Sequence, residues 1–315
     1  MEDATGSRGV GESGSASGGT VPGTIRYHRP GPRPPPGAGP RRRFLARAWG
    51  RNSRPPLRSP SLIFITIPVH NEEKTIGVLL WKIRKVMAEF GRDYEVLVLD
   101  DASTDGTPEV LERYRRVLPL RRTRSEVRLG YGAALERLLR EATRHTRYPK
   151  RDVALTIQAD FTENPEDLVP MVKAIEGGAD LVVGARSPGG EILPTPVRVS
   201  RWLAGVLLGR GMRGAPVSDP LSGFRAYRIV VLKKAFREEE EVLSPAQSPA
   251  QGGGWATNLE LLSLTVPHAR RVEESPVRLR LDHRLRGSRF RPVQELRSLL
   301  PLRGRLEWPA AEEEP

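Results

Sequence analysis

Leu155-Thr156-Ile157-Gln158-Ala159-Asp160-Phe161-Thr162-Glu163-Asn164-Pro165-Glu166-Asp167 is the stretch on which the reading of this chain turns. An apolar run ends in a carboxylate, and a helix start follows at once. Asn164 is a fitting N-cap, Pro165 suits the first helical position, and Glu166 and Asp167 complement the positive end of a helix. Gln158 and Asp160 lie two apart, so in extended chain both side chains leave the same face. Polar side chains at the carboxyl end of a strand stand where open α/β sheets bind ligands.

Upstream, residues 62–69 form a short apolar run rich in β-branched side chains, the pattern of a buried parallel strand. His70-Asn71-Glu72-Glu73 then turns the chain into a helix. Its apolar positions, Ile76, Leu79, Leu80, Ile83, Val86, Met87 and Phe90, follow helical spacing, and Gly91 ends it. A strand over 94–99 runs into Asp100-Asp101-Ala102-Ser103-Thr104-Asp105-Gly106, and Thr107-Pro108-Glu109 opens the next helix. A third strand is expected near 126–129, ahead of a helix carrying Leu135, Leu138, Leu139 and Ala142. The fourth is expected over 153–157, and the fifth over 181–183, leading to Gly184-Ala185-Arg186. This alternation predicts a mainly parallel α/β sheet with helices on both faces.

Beyond Arg186 the alternation stops. An apolar helix over 199–208 is flanked by Arg198, Arg201, Arg210 and Arg213. The stretch 219–227, a short helix over 229–236 and a loop over 238–254 follow. Thr257 is placed to cap a helix, and Val277, Leu279 and Leu281 alternate as a late strand with one wet face.

The first 60 residues contain 11 Arg and 3 acidic residues in a background of Gly, Ser and Pro, and they account for most of the net charge of +13. Such composition buries too little surface to offset chain entropy. The organisation expected is a disordered basic arm over 1–60, one domain over 61–282 and a basic tail over 283–315. The arm suits anionic surfaces, whether lipid headgroups or nucleic acid. There is no cysteine, which excludes disulfides, thiolate catalysis and Cys-based zinc sites. No apolar run reaches the length of a membrane span and no signal-peptide core begins the chain, so a cytoplasmic location with peripheral membrane contact is expected.

Pro68-Val69-His70-Asn71-Glu72-Glu73, Asp100-Asp101-Ala102-Ser103 and Gln158-Ala159-Asp160 all fall at carboxyl ends of expected strands. Together they resemble the nucleotide-sugar half of a family 2 glycosyltransferase with the GT-A (Rossmann-like) fold. Val183-Gly184-Ala185-Arg186, Asp219-Pro220-Leu221-Ser222-Gly223-Phe224-Arg225, Asn258-Leu259-Glu260 and Arg284-Leu285-Arg286-Gly287-Ser288-Arg289 resemble the dolichol-phosphate mannose synthases and their bacterial polyprenyl-phosphate relatives. The resemblance implies a nucleotide diphosphate sugar, GDP- or UDP-linked, as donor and a polyprenyl phosphate as acceptor. Nucleic acid is not an expected partner. It implies that Pro68, His70, Glu72, Asp100 and Asp101 contact the nucleoside. Gln158 and Asp160 stand where the family has D-x-D, implying Mg²⁺ or Mn²⁺ on Asp160 with Gln158 as a neutral neighbour.

On the same basis Asp160, Arg186 and Glu260 are the catalytic candidates, and Asp219, Ser222, Arg225, Arg286, Ser288 and Arg289 the acceptor-phosphate candidates. A phosphate acceptor is already an anion and needs no general base; a hydroxyl acceptor would need one, and Glu260 would be the candidate. The function implied is inverting transfer of a hexose to a polyprenyl phosphate. The alternatives are transfer to a glycan or small-molecule hydroxyl, and non-catalytic nucleotide-sugar binding.

Overall fold

A computed structural model describes residues 61–187, 193–237, 243, 254–279, 290–306 and 308–309, together with the backbone of 25–26. The expected disordered arm (apart from 25–26), most of the 238–254 loop, Leu281, Arg286, Ser288 and Arg289 lie outside the described residues.

In chain order the elements are β1 (Ile25–Arg26), β2 (Ile63–Val69), α1 (Glu73–Phe90), β3 (Tyr94–Asp101), α2 (Thr107–Arg115), β4 (Leu120–Ser125), α3 (Tyr131–His145) and β5 (Val153–Thr156). After a 3-10 turn over Pro165–Asp167 come α4 (Leu168–Glu176), β6 (Leu181–Arg186), α5 (Thr195–Leu208), α6 (Arg210–Arg213), β7 (Arg225–Arg228), α7 (Ile229–Ala235), α8 (Gly254–Thr265), β8 (Arg271–Val277) and α9 (Pro292–Leu299). They form one sheet in the order β1-β8-β6-β7-β5-β2-β3-β4. β2 runs parallel to β3 and β5, β3 to β4, and β6 to β8. β7 lies antiparallel between β5 and β6, and β1 pairs antiparallel with β8. The sheet is therefore the mainly parallel one expected, interrupted by a strand, β7, that the sequence did not announce.

The period-2 alternation of β2 explains why the sheet carries helices on both sides. Ile63, Ile65, Ile67 and Val69 pack in one cluster with Ile76, Leu79, Leu80, Ile83 and Met87 of α1. Phe64 faces the other way, into a cluster with Leu135, Leu138 and Leu139 of α3. Truncating one of these fully buried side chains to Ala would cost about 2–5 kcal/mol. A third, smaller cluster joins Ala204 and Leu208 of α5, Ala256 and Leu259 of α8, and Leu299 of α9.

α1 ends at Gly91, whose φ of 64° is the left-handed geometry that favours glycine. Four local expectations need correction. The third parallel strand lies at Leu120–Ser125, ahead of 126–129, because it is an edge strand whose Arg-rich sequence carries no apolar run. The late strand is Arg271–Val277, earlier than the alternation of Val277, Leu279 and Leu281. α8 begins at Gly254, so Thr257 is an interior, fully buried residue and not its cap. β7 was missed because four residues pairing antiparallel on both sides carry no distinctive period. Among the described residues, no helix is long and apolar enough to cross a membrane.

Candidate active site

Three parallel strands, β2, β3 and β5, end at the same rim, and each hands over to a left-handed, non-glycine residue: Asn71 (φ 52°), Ala102 (φ 54°) and Phe161 (φ 61°). Such a conformation costs of order 1–3 kcal/mol per residue and persists only where surroundings impose it. Here the surroundings are side chains of the turns themselves. Asn71 N–H donates to Ser103 Oγ at 2.9 Å, Asn71 Oδ1 accepts from Thr104 N at 2.7 Å, and Asp160 Oδ1 accepts from Thr162 N at 3.0 Å. The kinks turn the residues around them toward a cleft of about 420 Å³.

Pro68, His70, Glu72 and Asp101 line one end of that cleft. His70 donates from Nδ1 to the Asp101 carbonyl at 2.7 Å, which ties the end of β2 to the end of β3. Thr75 Oγ1 donates to Glu72 Oε2 at 2.7 Å. Asp101 accepts from the backbone N–H groups of Leu129 (2.6 Å) and Gly130 (3.0 Å), with Arg128 at 3.5 Å. Burial pushes its carboxyl above the usual range even so. Asp100 does not share this role. Successive strand residues face opposite ways, and Asp100 is fully buried behind the wall, accepting from Ser103 N at 3.0 Å and Arg124 Nη1 at 3.3 Å. The cleft-facing carboxylate of the pair is Asp101 alone.

Gln158, Asp160, Thr162 and Glu163 line the middle of the cleft. Glu163, which sequence reading passed over, is 5% exposed and accepts from Gln158 N at 2.8 Å. Burial, reinforced by the nearby Asp160 charge, pushes its carboxyl up to about 8. A signal was present: Glu163 precedes the N-cap Asn164, where an apolar staple residue is usual. Asn164 itself behaves as expected, its Oδ1 accepting from Glu166 N at 3.3 Å. Among the described residues, no group of three or more His, Cys, Asp or Glu is disposed to hold a metal by itself. The donor set of Asp160, Glu163 and the Gln158 amide fits a hard divalent ion shared with a diphosphate, which would bring the missing anionic oxygens.

The opposite wall is cationic. Arg186, at the end of β6, and Arg201, from α5, converge on the buried carboxylate of Asp219; Arg186 Nε stands 3.7 Å away and Arg201 Nη2 is hydrogen bonded to it. Arg201 had counted only as a flank of an apolar helix. Ser222 and Gly223 line the same wall. A Cβ on Gly223 would sit 3.0 Å from both Tyr131 Oη and Asn258 Nδ2, so the loop approaches α3 and α8 as closely as glycine permits.

Two expected site residues stand elsewhere. Arg225 is 1% exposed and faces away from the cleft; its guanidinium donates to the Asn258 carbonyl at 2.6 Å and the Pro220 carbonyl at 2.9 Å, bracing the loop from behind. The antiparallel strand β7 is what draws it inward. Glu260 does not line the cleft, whereas Asn258 does. At about 100° per residue, two positions apart on α8 point to nearly opposite sides.

A profile described as Glycosyl transferase family 2 matches residues 64–236. Among curated proteins, an undecaprenyl-phosphate mannosyltransferase of Micrococcus luteus is 33% identical over 178 residues, covering 54% of this chain and 68% of that protein. A dolichol-phosphate mannosyltransferase of Pyrococcus furiosus is 28% identical over 176 residues, and here the match spans 54% of this chain but only 47% of the relative. The fold is similar to glucosyl-3-phosphoglycerate synthase from Mycobacterium tuberculosis, solved with Mn²⁺, uridine-diphosphate and phosphoglyceric acid: TM-score 0.53, 21% identity, 80% of each chain covered. With a profile match over more than half its length, the chain belongs to glycosyl transferase family 2.

Proposed function

We propose that this protein transfers a hexose from a nucleotide diphosphate sugar to a polyprenyl phosphate, with inversion, at a membrane surface. The observation that carries the reading is one cleft lined both by carboxylates, Asp101 and Asp160 among them, and by the guanidinium groups of Arg186 and Arg201. His70, Glu72 and Asp101 would hold the nucleoside, with Pro68 as an apolar wall. Asp160, with Glu163 and the Gln158 amide, would hold Mg²⁺ or Mn²⁺ against the diphosphate. Such an ion, when bound, supplies charge neutralisation for the departing nucleoside diphosphate. Both curated relatives are named for polyprenyl-type phosphate acceptors, which supports the acceptor class.

In this scheme an acceptor phosphate oxygen attacks the anomeric carbon. The bond to the diphosphate oxygen breaks on the far side and its electron pair leaves with the diphosphate. Arg186 and Arg201, released in part from Asp219, would bind the acceptor phosphate and offset its repulsion from the donor, so that positioning and charge do the catalytic work.

The test is incubation of the purified protein with UDP- and GDP-linked sugars, a short polyprenyl phosphate and Mg²⁺ or Mn²⁺. The expected product is a lipid phosphosugar cleaved by mild acid. An acid-stable product, formed only with hydroxyl acceptors, would overturn the reading. One observation favours that second reading: Glu163, with its pKa raised to about 8, has the basicity a hydroxyl acceptor needs.

A further inference from the structure

α5 has two sides with different surroundings. Ser200, Ala204 and Leu208 are buried, the last two against α8 and α9. Val197 and Arg201, one turn apart, line the cleft. The remaining face is open: Val199 is 49% exposed, Trp202 67%, Leu203 38% and Val206 62%. Their spacing of i, i+3, i+4, i+7 makes a single stripe, and α9, packed beside α5, has an exposed Val293, with an exposed Leu300 in the turn that follows it. A contiguous apolar stripe left in water on an otherwise well-packed helix marks a contact surface.

Charge identifies the contact. From Leu193 to Ser218 the chain has Arg198, Arg201, Arg210 and Arg213 and no acidic residue. Arg198, Arg210 and Arg213 are exposed. An apolar stripe with a tryptophan at its centre and arginines around it complements a layer with a hydrocarbon interior and an anionic surface.

We propose that α5 is the surface by which this protein lies on an anionic lipid bilayer. Val199, Trp202, Leu203 and Val206 enter the acyl region, while Arg198, Arg210 and Arg213 stand at the headgroups. The inference takes its purpose from the lipid-acceptor reading. Val197 and Arg201 lie on the opposite side of the same helix, so docking through the stripe holds the arginines of the cleft one helix diameter, roughly 10 Å, above the bilayer surface. A lipid phosphate then has only that helix width to cross to reach Arg186 and Arg201.

The test is co-sedimentation of the full chain with vesicles of phosphatidylcholine, with and without phosphatidylglycerol, across a salt series. The wild-type protein is expected to bind anionic vesicles roughly tenfold or more tightly than neutral ones, weakening with salt. The double substitution Trp202→Ser/Val206→Ser should lose binding by roughly tenfold or more, and Arg198→Gln/Arg210→Gln/Arg213→Gln should remove most of the salt dependence. Calorimetric binding of UDP or GDP is the folding control; if the double variant loses it, Val206→Ser alone is read in its place. Failure of the wild-type chain to bind anionic vesicles would overturn the proposal. So would unchanged binding by the stripe variant, which would assign docking to the basic arm. A concentration-dependent dimer dissolved by the stripe substitution would show instead that a second copy covers this face. Stripe-dependent docking without lipid phosphosugar formation would keep this inference and remove the acceptor reading; the converse pair of results would do the reverse.

Discussion

The half of the cleft proposed for the donor is made of neighbouring strand ends, and the half proposed for the acceptor of segments that meet only in three dimensions. β2, β3 and β5 sit within one parallel run and deliver Glu72, Asp101 and Asp160 to one rim, each through its own tight turn. The other wall gathers Arg186 from β6, Arg201 from α5, Ser222 from a loop and Asn258 from α8. The first arrangement tolerates little change in chain geometry, because register and kinks position everything. The second is held by cross-links between distant side chains, Asp219 and Arg225 above all, and its failure modes should differ accordingly.

The largest expected effect is on the donor side. Asp160→Asn should lower kcat by about 10²–10³-fold, the range for losing one preorganised charge partner of a transition state, with the thermal midpoint nearly unchanged. A variant retaining wild-type turnover would take Asp160 out of the chemistry.

Next comes the brace. Arg225→Met strands the Pro220 and Asn258 carbonyls, each at about 1–3 kcal/mol, so denaturant unfolding should shift strongly while nucleotide affinity in the surviving fold is kept. Loss of activity without loss of stability would restore Arg225 to the substrate. Arg201→Ala should act on both stability and substrate. Removing the hydrogen-bond partner of the buried Asp219 carboxylate lowers stability by about 1–3 kcal/mol, and losing one charge-assisted contact raises the acceptor KM by about tenfold, without altering nucleotide affinity measured by calorimetry.

The smallest effect sharpens the comparison by pH. Glu163 has a folded pKa raised to about 8 from an ordinary 4.5. Between these values the native state holds the proton and the unfolded chain does not, so stability falls as pH rises through this window. Glu163→Gln should flatten that decline, gaining a few degrees in thermal midpoint at pH 8 relative to wild type, at about 2–4 °C per kcal/mol. Equal slopes for both proteins would show that Glu163 stays ionised in the fold.

The helix after Asn164, the stop at Gly91 and the buried strand before His70 were all readable because caps, left-handed glycines and apolar runs act over a few residues. Asp101 and Asp160 were readable for the same reason, as polar residues where such runs stop. Arg201 was not, since nothing within one turn of it distinguishes a cleft residue from a flank. Arg225 and Glu260 were misplaced because their direction depends on the pairing of β7 and the rotation of α8.

The sequence by itself determined the parallel scaffold and the polar rim at its strand ends, through interactions between residues close along the chain. The tertiary structure alone decided that Asp100 turns inward, that Glu163 is desolvated, and that Arg186 and Arg201 share Asp219. Those outcomes follow from burial and from contacts between remote segments, which become defined only when the sheet and its helices pack.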